Sequence, residues 1–309
     1  MSRILSGLED SCLAYIDDII IFNKSFAEHL QALRTVFERF RVFNIKTSGK
    51  KLTEIAQSKI TFLGHEISYN SYSPADRNIR AMKEFPTPTT AKEVKRFIGM
   101  ANFFRRFIRN FAGIAAPLYE LTKTNAKFLW GTRQEEAFIA LRDCLASKPC
   151  LAYPRDREFI LCTDGSSLAV GAGLFQRSED DDNKLVAIGY FSKALTDSQK
   201  RWSPTHIELF AMVSALRFFR ATIYGNLTRV LSDHKPLTFL LKHNKIHDNL
   251  ARWIVELQSY NITIEYLKGS SNTVADCLSR VTRPSSQFQE GSPEIDDIVE
   301  FPRCLVGFR

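Results

Sequence analysis

Four acids in the second half of the chain, Asp164, Glu208, Asp233 and Asp276, fall where strand and helix ends could gather them into one crevice. Asp164 closes the apolar run REFILCTDGSS, Glu208 lies early in a long helical stretch, Asp233 closes TRVLSDH, and Asp276 opens the last helical pattern. Singly, each has an ordinary explanation: a turn residue before Gly165, a local cap, a first-turn helix acid. Gathered together they would repel, and such a cluster either raises its carboxyl pKa values or binds cations. Two hard cations held roughly 4 Å apart by carboxylates can activate a water on one side of a phosphodiester and stabilise the leaving oxygen on the other. Oxygen-only ligation favours Mg²⁺ or Mn²⁺ over zinc. A further pair, Asp17 and Asp18, stands inside LAYIDDIIIF, where two like charges interrupt what otherwise reads as a buried strand.

The elements that would position these acids follow from hydrophobic periodicity. After LAYIDDIIIF, Leu30, Leu33, Phe37 and Phe40 fall at helical spacing, and ITFLGHEIS reads as strand again. Residues 74 to 148 read as mostly helical, punctuated by PTP. Within them Lys92, Lys95, Arg96, Arg105, Arg106 and Arg109 interleave with Phe97, Phe103, Phe104 and Phe107. That texture fits a helical core face with a solvated basic face, and equally a track along a nucleic-acid backbone. From about residue 156, three hairpin-like strands (REFILCTDGSS, GAGLFQR, KLVAIGYFS) precede strands alternating with helices. The expected architecture is α+β or α/β, with a mixed five-stranded sheet and flanking helices over its faces. The closing PSSQFQEGSPEIDD is rich in Pro, Ser and acid and reads as linker or frayed tail.

Composition narrows the function classes. At 309 residues and 44% hydrophobic, the chain is long enough for more than one core, and its net charge of +8 favours a polyanionic partner. Six cysteines without a CxxC pair argue against a zinc knuckle, a redox motif or a disulfide framework. No apolar run reaches the length of a membrane span, and the N-terminus lacks the build of a signal peptide, so the expected setting is intracellular, without a membrane partner. His243 and His247, four apart among Asn and Lys, read as polar loop; the acidic run Glu179 to Asp182 lacks the alternation of a calcium loop and reads as a solvated turn.

The run TDGSSLAVGAGLFQ, YFSKAL, THIELFAMVSALRFFR, SDHKPLTFLL and RWIVELQSYNITIEYLKGSSNTVADCLSR resembles the RNase H domain of gypsy-type LTR retrotransposon Pol polyproteins. The resemblance implies Asp164, Glu208, Asp233 and Asp276 as the acids that bind metal and cleave RNA paired to DNA. Gly165 departs from it, standing where the family commonly has Ala, and THIEL replaces a more acidic lead-in to the glutamate. The same family accounts for the opening: LAYIDDIIIF resembles the YxDD hairpin of reverse transcriptase palms, and ITFLGHEIS the primer-gripping strand pair. By that resemblance Asp17 ligates metal beside the primer 3′ end and Asp18 supports it. PTPTTAKEVKRFIGMANFFRRFIRNFAGIAAPLYELTK looks like thumb and connection.

The expected division is therefore 1–70 as the end of a palm, 71–155 as thumb and connection, 156–282 as RNase H, and 283–309 as linker or disordered tail. Only twelve residues precede LAYIDD, so the fingers and the earlier palm aspartate that such a polymerase needs are expected to be missing. The implied activity is a two-metal, Mg²⁺- or Mn²⁺-dependent ribonuclease H acting on RNA:DNA hybrids, not a polymerase on its own. Implied partners are the hybrid, template-primer nucleic acid and other parts of the polyprotein, in cytoplasm, nucleus or virus-like particles. The competing class is a degenerate or co-opted module that holds nucleic acid through its basic segment without turnover.

Overall fold

A computed structural model describes residues 1, 3–47, 54–232, 248–266 and 305–308. They form two compact units, 1–78 with 287–309, and 79–286. In the first unit, β1 (Cys12–Tyr15) and β2 (Asp18–Phe22) pair as an antiparallel hairpin, followed by α1 (Phe26–Val42). Ser25 caps α1 by accepting from the Glu28 amide. Strand β3 (Glu54–Gln57) follows, then the antiparallel set β4 (Ile60–Phe62), β5 (His65–Ile67) and β6 (Ser71–Pro74).

The unbroken apolar run of β2 is explained by burial on both faces. Ile19 and Ile21 pack with Leu5, Cys12, Val36 and Phe40, while Ile20 packs with Ile60 and, at the rim, Phe22, Phe62 and Ile67. The inward stripe of α1 departs from the expected one: His29, Val36 and Phe40 are buried, whereas Leu30 and Phe37 are 39% and 37% exposed. His29 is the reason for the rotation, since its ring lies fully inside, with Nδ1 3.3 Å from Asn23 Oδ1.

In the second unit, the boundary of which falls inside α2 (Asp76–Lys83), come α3 (Ala91–Phe103), a 3-10 turn Arg105–Phe107, α4 (Phe111–Glu120) and α5 (Thr132–Ala146). Phe97, Phe104 and Phe107 turn into the core, with Arg96 over the Phe85 ring and Arg105 over the Phe111 ring, so the interleaved segment is a helical core face with basic residues outside it. Phe103 is the exception, at 58% exposure. A two-residue strand, β7 (Leu151–Ala152), lies beside the sheet that follows.

That sheet comprises β8 (Phe159–Gly165), β9 (Ala169–Arg177), β10 (Leu185–Ala194), β11 (Thr228–Ser232) and β12 (Ile262–Tyr266), in the order β10-β9-β8-β11-β12. Neighbours are antiparallel from β10 to β8 and parallel from β8 to β12, the expected mixed five-stranded sheet. Helix α6 (Pro204–Ile223) and α7 (Asp248–Leu257) pack together, and α6 covers one face. Phe159, Leu161, Leu174, Phe191, Leu209, Met212 and Leu216 belong to that core. Buried Gln176 anchors the chain entering the sheet: it accepts from the Arg155 amide and donates to the Arg155 and Arg157 carbonyls, each at 2.9 Å.

Within the stretch read as tail, β13 (Leu305–Phe308) forms a strand between β2 and β3, antiparallel to both. No helix among the described residues is long and apolar enough to cross a membrane.

Candidate active site

Asp164 is the penultimate residue of β8, the strand at the centre of the sheet, and is exposed. Its position follows from the pattern FILCTDG, in which five buried residues give way to a carboxylate where the strand emerges from the core. Glu208 lies in the second turn of α6, which begins at the N-cap Ser203 with Pro204 at its first position. Although 7% exposed and set among Ile207, Leu209 and Phe210, Glu208 is oriented by the strand: the Gly165 amide donates to its Oε1 at 3.2 Å. Strand and helix approach closely here. A Cβ on Gly165 would lie 2.8 Å from Ile207 Cγ2 and 3.3 Å from Glu208 Oε1.

Two of the acids expected to act together are thus joined through adjacent backbone, one at the solvent edge and one beneath it. Their oxygen donors suit a hard divalent cation. Asp233, the residue after β11, and Asp276 lie outside the described residues, as do His243 and His247. Among the described residues no group of three His, Cys, Asp or Glu side chains is placed to hold a metal.

Asp17 and Asp18 occupy the tip of the β1–β2 hairpin in the other unit. Tyr15 pairs with Asp18 across a two-residue loop of Ile16 and Asp17. Ile16 has φ +56°, a left-handed conformation that β-branched residues rarely adopt, and it is exposed. The acidic turn Glu179 to Asp182 joins β9 to β10 and is held by arginines, Arg155 to Glu179 at 3.4 Å and Arg157 to Asp182 at 3.5 Å.

Two features escaped the sequence reading. One is a cavity of about 480 Å³ beside the start of α6, lined by Arg201, Trp202, Ser203, His206, Arg252 and Trp253. Its indoles meet edge to face at 5.6 Å, and its two guanidiniums make no ion pair among the described residues. The other is Arg109, a half-buried cation between the 3-10 turn and α4. Burial pulls its guanidinium below the ordinary value, and Tyr190, Asp164 and Cys162 act in the opposite direction. The paired tryptophans were separated by fifty residues and the arginine read as one of a basic series, so neither carried a local signal.

Comparison with known proteins finds relatives of both units. Residues 155–260 match the family described as the RNase H-like domain found in reverse transcriptase, and residues 1–67 match reverse transcriptase (RNA-dependent DNA polymerase). The retrovirus-related Pol polyprotein from transposon 412 of Drosophila melanogaster is 36% identical over 91% of this chain and 23% of its own length. That from transposon 297 is 34% identical over 94% and 27%, and the transposon Tf2-3 polyprotein of Schizosaccharomyces pombe 31% identical over 93% and 22%. The chain spans about a quarter of the length of these relatives. Among solved structures, the fold is similar to a foamy viral protease-reverse transcriptase in complex with RNA/DNA hybrid, with TM-score 0.69 and 19% identity over 96% of this chain and 39% of that one. A second foamy viral structure, in complex with double-stranded DNA, gives TM-score 0.71 and 21% identity over 86% and 47%.

Proposed function

We propose that this chain, which belongs with the reverse transcriptase and RNase H segment of gypsy-type retrotransposon Pol polyproteins, is a metal-dependent ribonuclease that cleaves the RNA strand of RNA:DNA hybrids. The observation that carries the reading is the Gly165 amide bonded to Glu208 Oε1, which joins the strand-end acid Asp164 to a second carboxylate. Asp164 and Glu208 would hold Mg²⁺ or Mn²⁺, with Asp233 and Asp276 completing the set. Bound divalent cations would supply activation of a water and stabilisation of the leaving 3′ oxygen.

The protein's own part is positional. Asp164, exposed at the strand end, faces a phosphodiester arriving from solvent, while the buried Glu208 keeps one orientation because the β8 backbone bonds it. The cavity with Arg201, Arg252, Trp202 and Trp253 suits a sugar-phosphate strand, since guanidiniums pair with phosphate and indoles stack on bases. The net charge of +8 supports the same class of partner. Asp17 and Asp18 are read as the metal-side carboxylates of the polymerase hairpin. The expected setting is intracellular, in cytoplasm, nucleus or virus-like particles.

The test is cleavage of labelled hybrid with Mg²⁺, run beside binding over a salt series. Turnover lost in Glu208→Gln, with hybrid binding retained, supports the nuclease. Salt-steep binding without turnover by the unaltered chain would make it the co-opted binding module instead.

A further inference from the structure

In the first unit β13 separates β2 from β3, the sheet order being β1-β2-β13-β3. Its fit to β2 is regular, with Leu305, Val306, Gly307 and Phe308 opposite Phe22, Ile21, Ile20 and Ile19. On the other side Leu305 pairs with Gln57 and Gly307 with Glu54, and the register shifts between the two pairs. Strand β3 carries one residue more than β13 over that interval, which makes a bulge, and Ala56 within it stands at φ +52°. A left-handed alanine is a strained one, so the ladder to β3 is the weaker of the two.

Burial makes a neighbour on this side of β2 obligatory. Ile19 and Ile21 lie in one apolar cluster with Val36 and Phe40, and Ile20 lies against Ile60 in another. A strand covered on both faces has little water to satisfy an open edge, so its free amides and carbonyls need a strand beside them. Among the described residues that strand is β13, which comes from far later in the chain and shares no hairpin turn with β2 or β3. Pairing holds it, not chain continuity. It is four residues long and contains Gly307, a residue type that weakens a strand interior. The space between β2 and β3 is thus built for a strand, while the strand that fills it is short and secured mainly from one side.

We infer that the space between β2 and β3 is a strand-acceptor site with β13 as its exchangeable occupant, through which two copies of this chain join by each placing Leu305–Phe308 in the first unit of the other. The main-chain bonds made on exchange are the ones given up, so chain concentration decides between the closed copy and the exchanged pair. A second copy is the partner because it carries the segment whose register to β2 and β3 the sheet displays. Reciprocal exchange also closes as a two-fold dimer and leaves neither acceptor edge open. Asp164 and Glu208 lie in the other unit, so the inference stands apart from the nuclease reading.

Cross-linking of full chains tests this. Paired antiparallel residues have Cα atoms about 4.5–5.5 Å apart, within reach of a disulfide, and Gln57, the partner of Leu305, is exposed. Chains carrying Gln57→Cys are mixed with chains carrying Leu305→Cys, both with Cys304→Ser, at rising concentration and then oxidised. The expected product is a disulfide-linked species of twice the chain mass that grows with concentration, that neither variant forms alone, and that excess peptide of sequence PRSLVGFR suppresses. Linkage that the peptide does not reduce would mark chance thiol contact and overturn the inference. Mixed chains that stay unlinked, while Gln57→Cys/Leu305→Cys in one chain closes an internal disulfide, would show that β13 keeps to its own copy and overturn the exchange. No linkage in either case would overturn the acceptor site itself. Light scattering on the unaltered chain gives a readout independent of the variants: a dimer that forms with concentration and that the peptide returns to monomer is expected, and a monomer at every concentration contradicts the inference.

Discussion

The Gly165 amide donates to Glu208 Oε1 at 3.2 Å, so the residue that follows Asp164 on its strand fixes an acid buried in α6. Strand and helix come this close because residue 165 has no side chain. A Cβ there would stand 2.8 Å from Ile207 Cγ2, a branch methyl close to its own backbone that cannot swing aside. Gly165→Ala is therefore expected to push β8 from α6, costing about 1–3 kcal/mol. All three tryptophans, Trp130, Trp202 and Trp253, lie in the second unit, so fluorescence-monitored denaturation reads this directly. Unchanged stability would mean that the helix shifts freely and that the close approach positions nothing.

Ile16 holds the hairpin tip at φ +56° while 73% exposed, so its side chain gains little from packing and the backbone carries the cost. Left-handed conformations cost L-residues roughly 1–2 kcal/mol, part of which glycine returns as unfolded-state entropy. Ile16→Gly should accordingly slow amide hydrogen exchange across residues 12–22, while Ile16→Val should not. Faster exchange in Ile16→Gly would show that the isoleucine side chain, not the backbone, governs the tip.

Arg217 of α6 grips Glu256 of α7 with two hydrogen bonds, Nε to Oε1 at 2.6 Å and Nη2 to Oε2 at 2.5 Å. These bonds, ahead of any other cause, hold the Glu256 carboxyl below its ordinary range. A carboxyl with a depressed folded-state pKa contributes stability that is complete above its unfolded value and is lost as pH falls through the folded one. Arg217→Ala should thus cost up to about 1 kcal/mol near neutrality, the pair being largely solvated. The gap from wild type should close as pH drops below the ordinary value of about 4.3. A gap independent of pH would assign the effect to lost packing of the arginine stem.

Much of the architecture was legible from sequence because its signals are local. FILCTDG, GAGLFQR and the long apolar run of α6 declare a central strand, its neighbour and a buried helix by periodicity alone, and the mixed five-stranded sheet follows from their order. Asp164 and Glu208 were legible as candidates because strand and helix ends could gather them with other acids, each having an ordinary explanation when taken alone. What escaped depends on partners distant in the chain. The stripe of α1 turned about His29, a residue whose burial next to Asn23 no apolar pattern announces, leaving Leu30 and Phe37 at the surface. Strand β13 exists through pairing with β2 and β3, far earlier in the chain, and nothing in the polar stretch before it signals that register.

Asp164 is proposed as a metal-binding acid of a hybrid nuclease, and Mg²⁺-dependent cleavage of RNA in a labelled RNA:DNA hybrid by wild type and Asp164→Asn tests that role most directly. The expected result is cleavage by the wild type and none by Asp164→Asn, with hybrid binding by the two proteins nearly equal. Cleavage that persists unchanged in Asp164→Asn would contradict it.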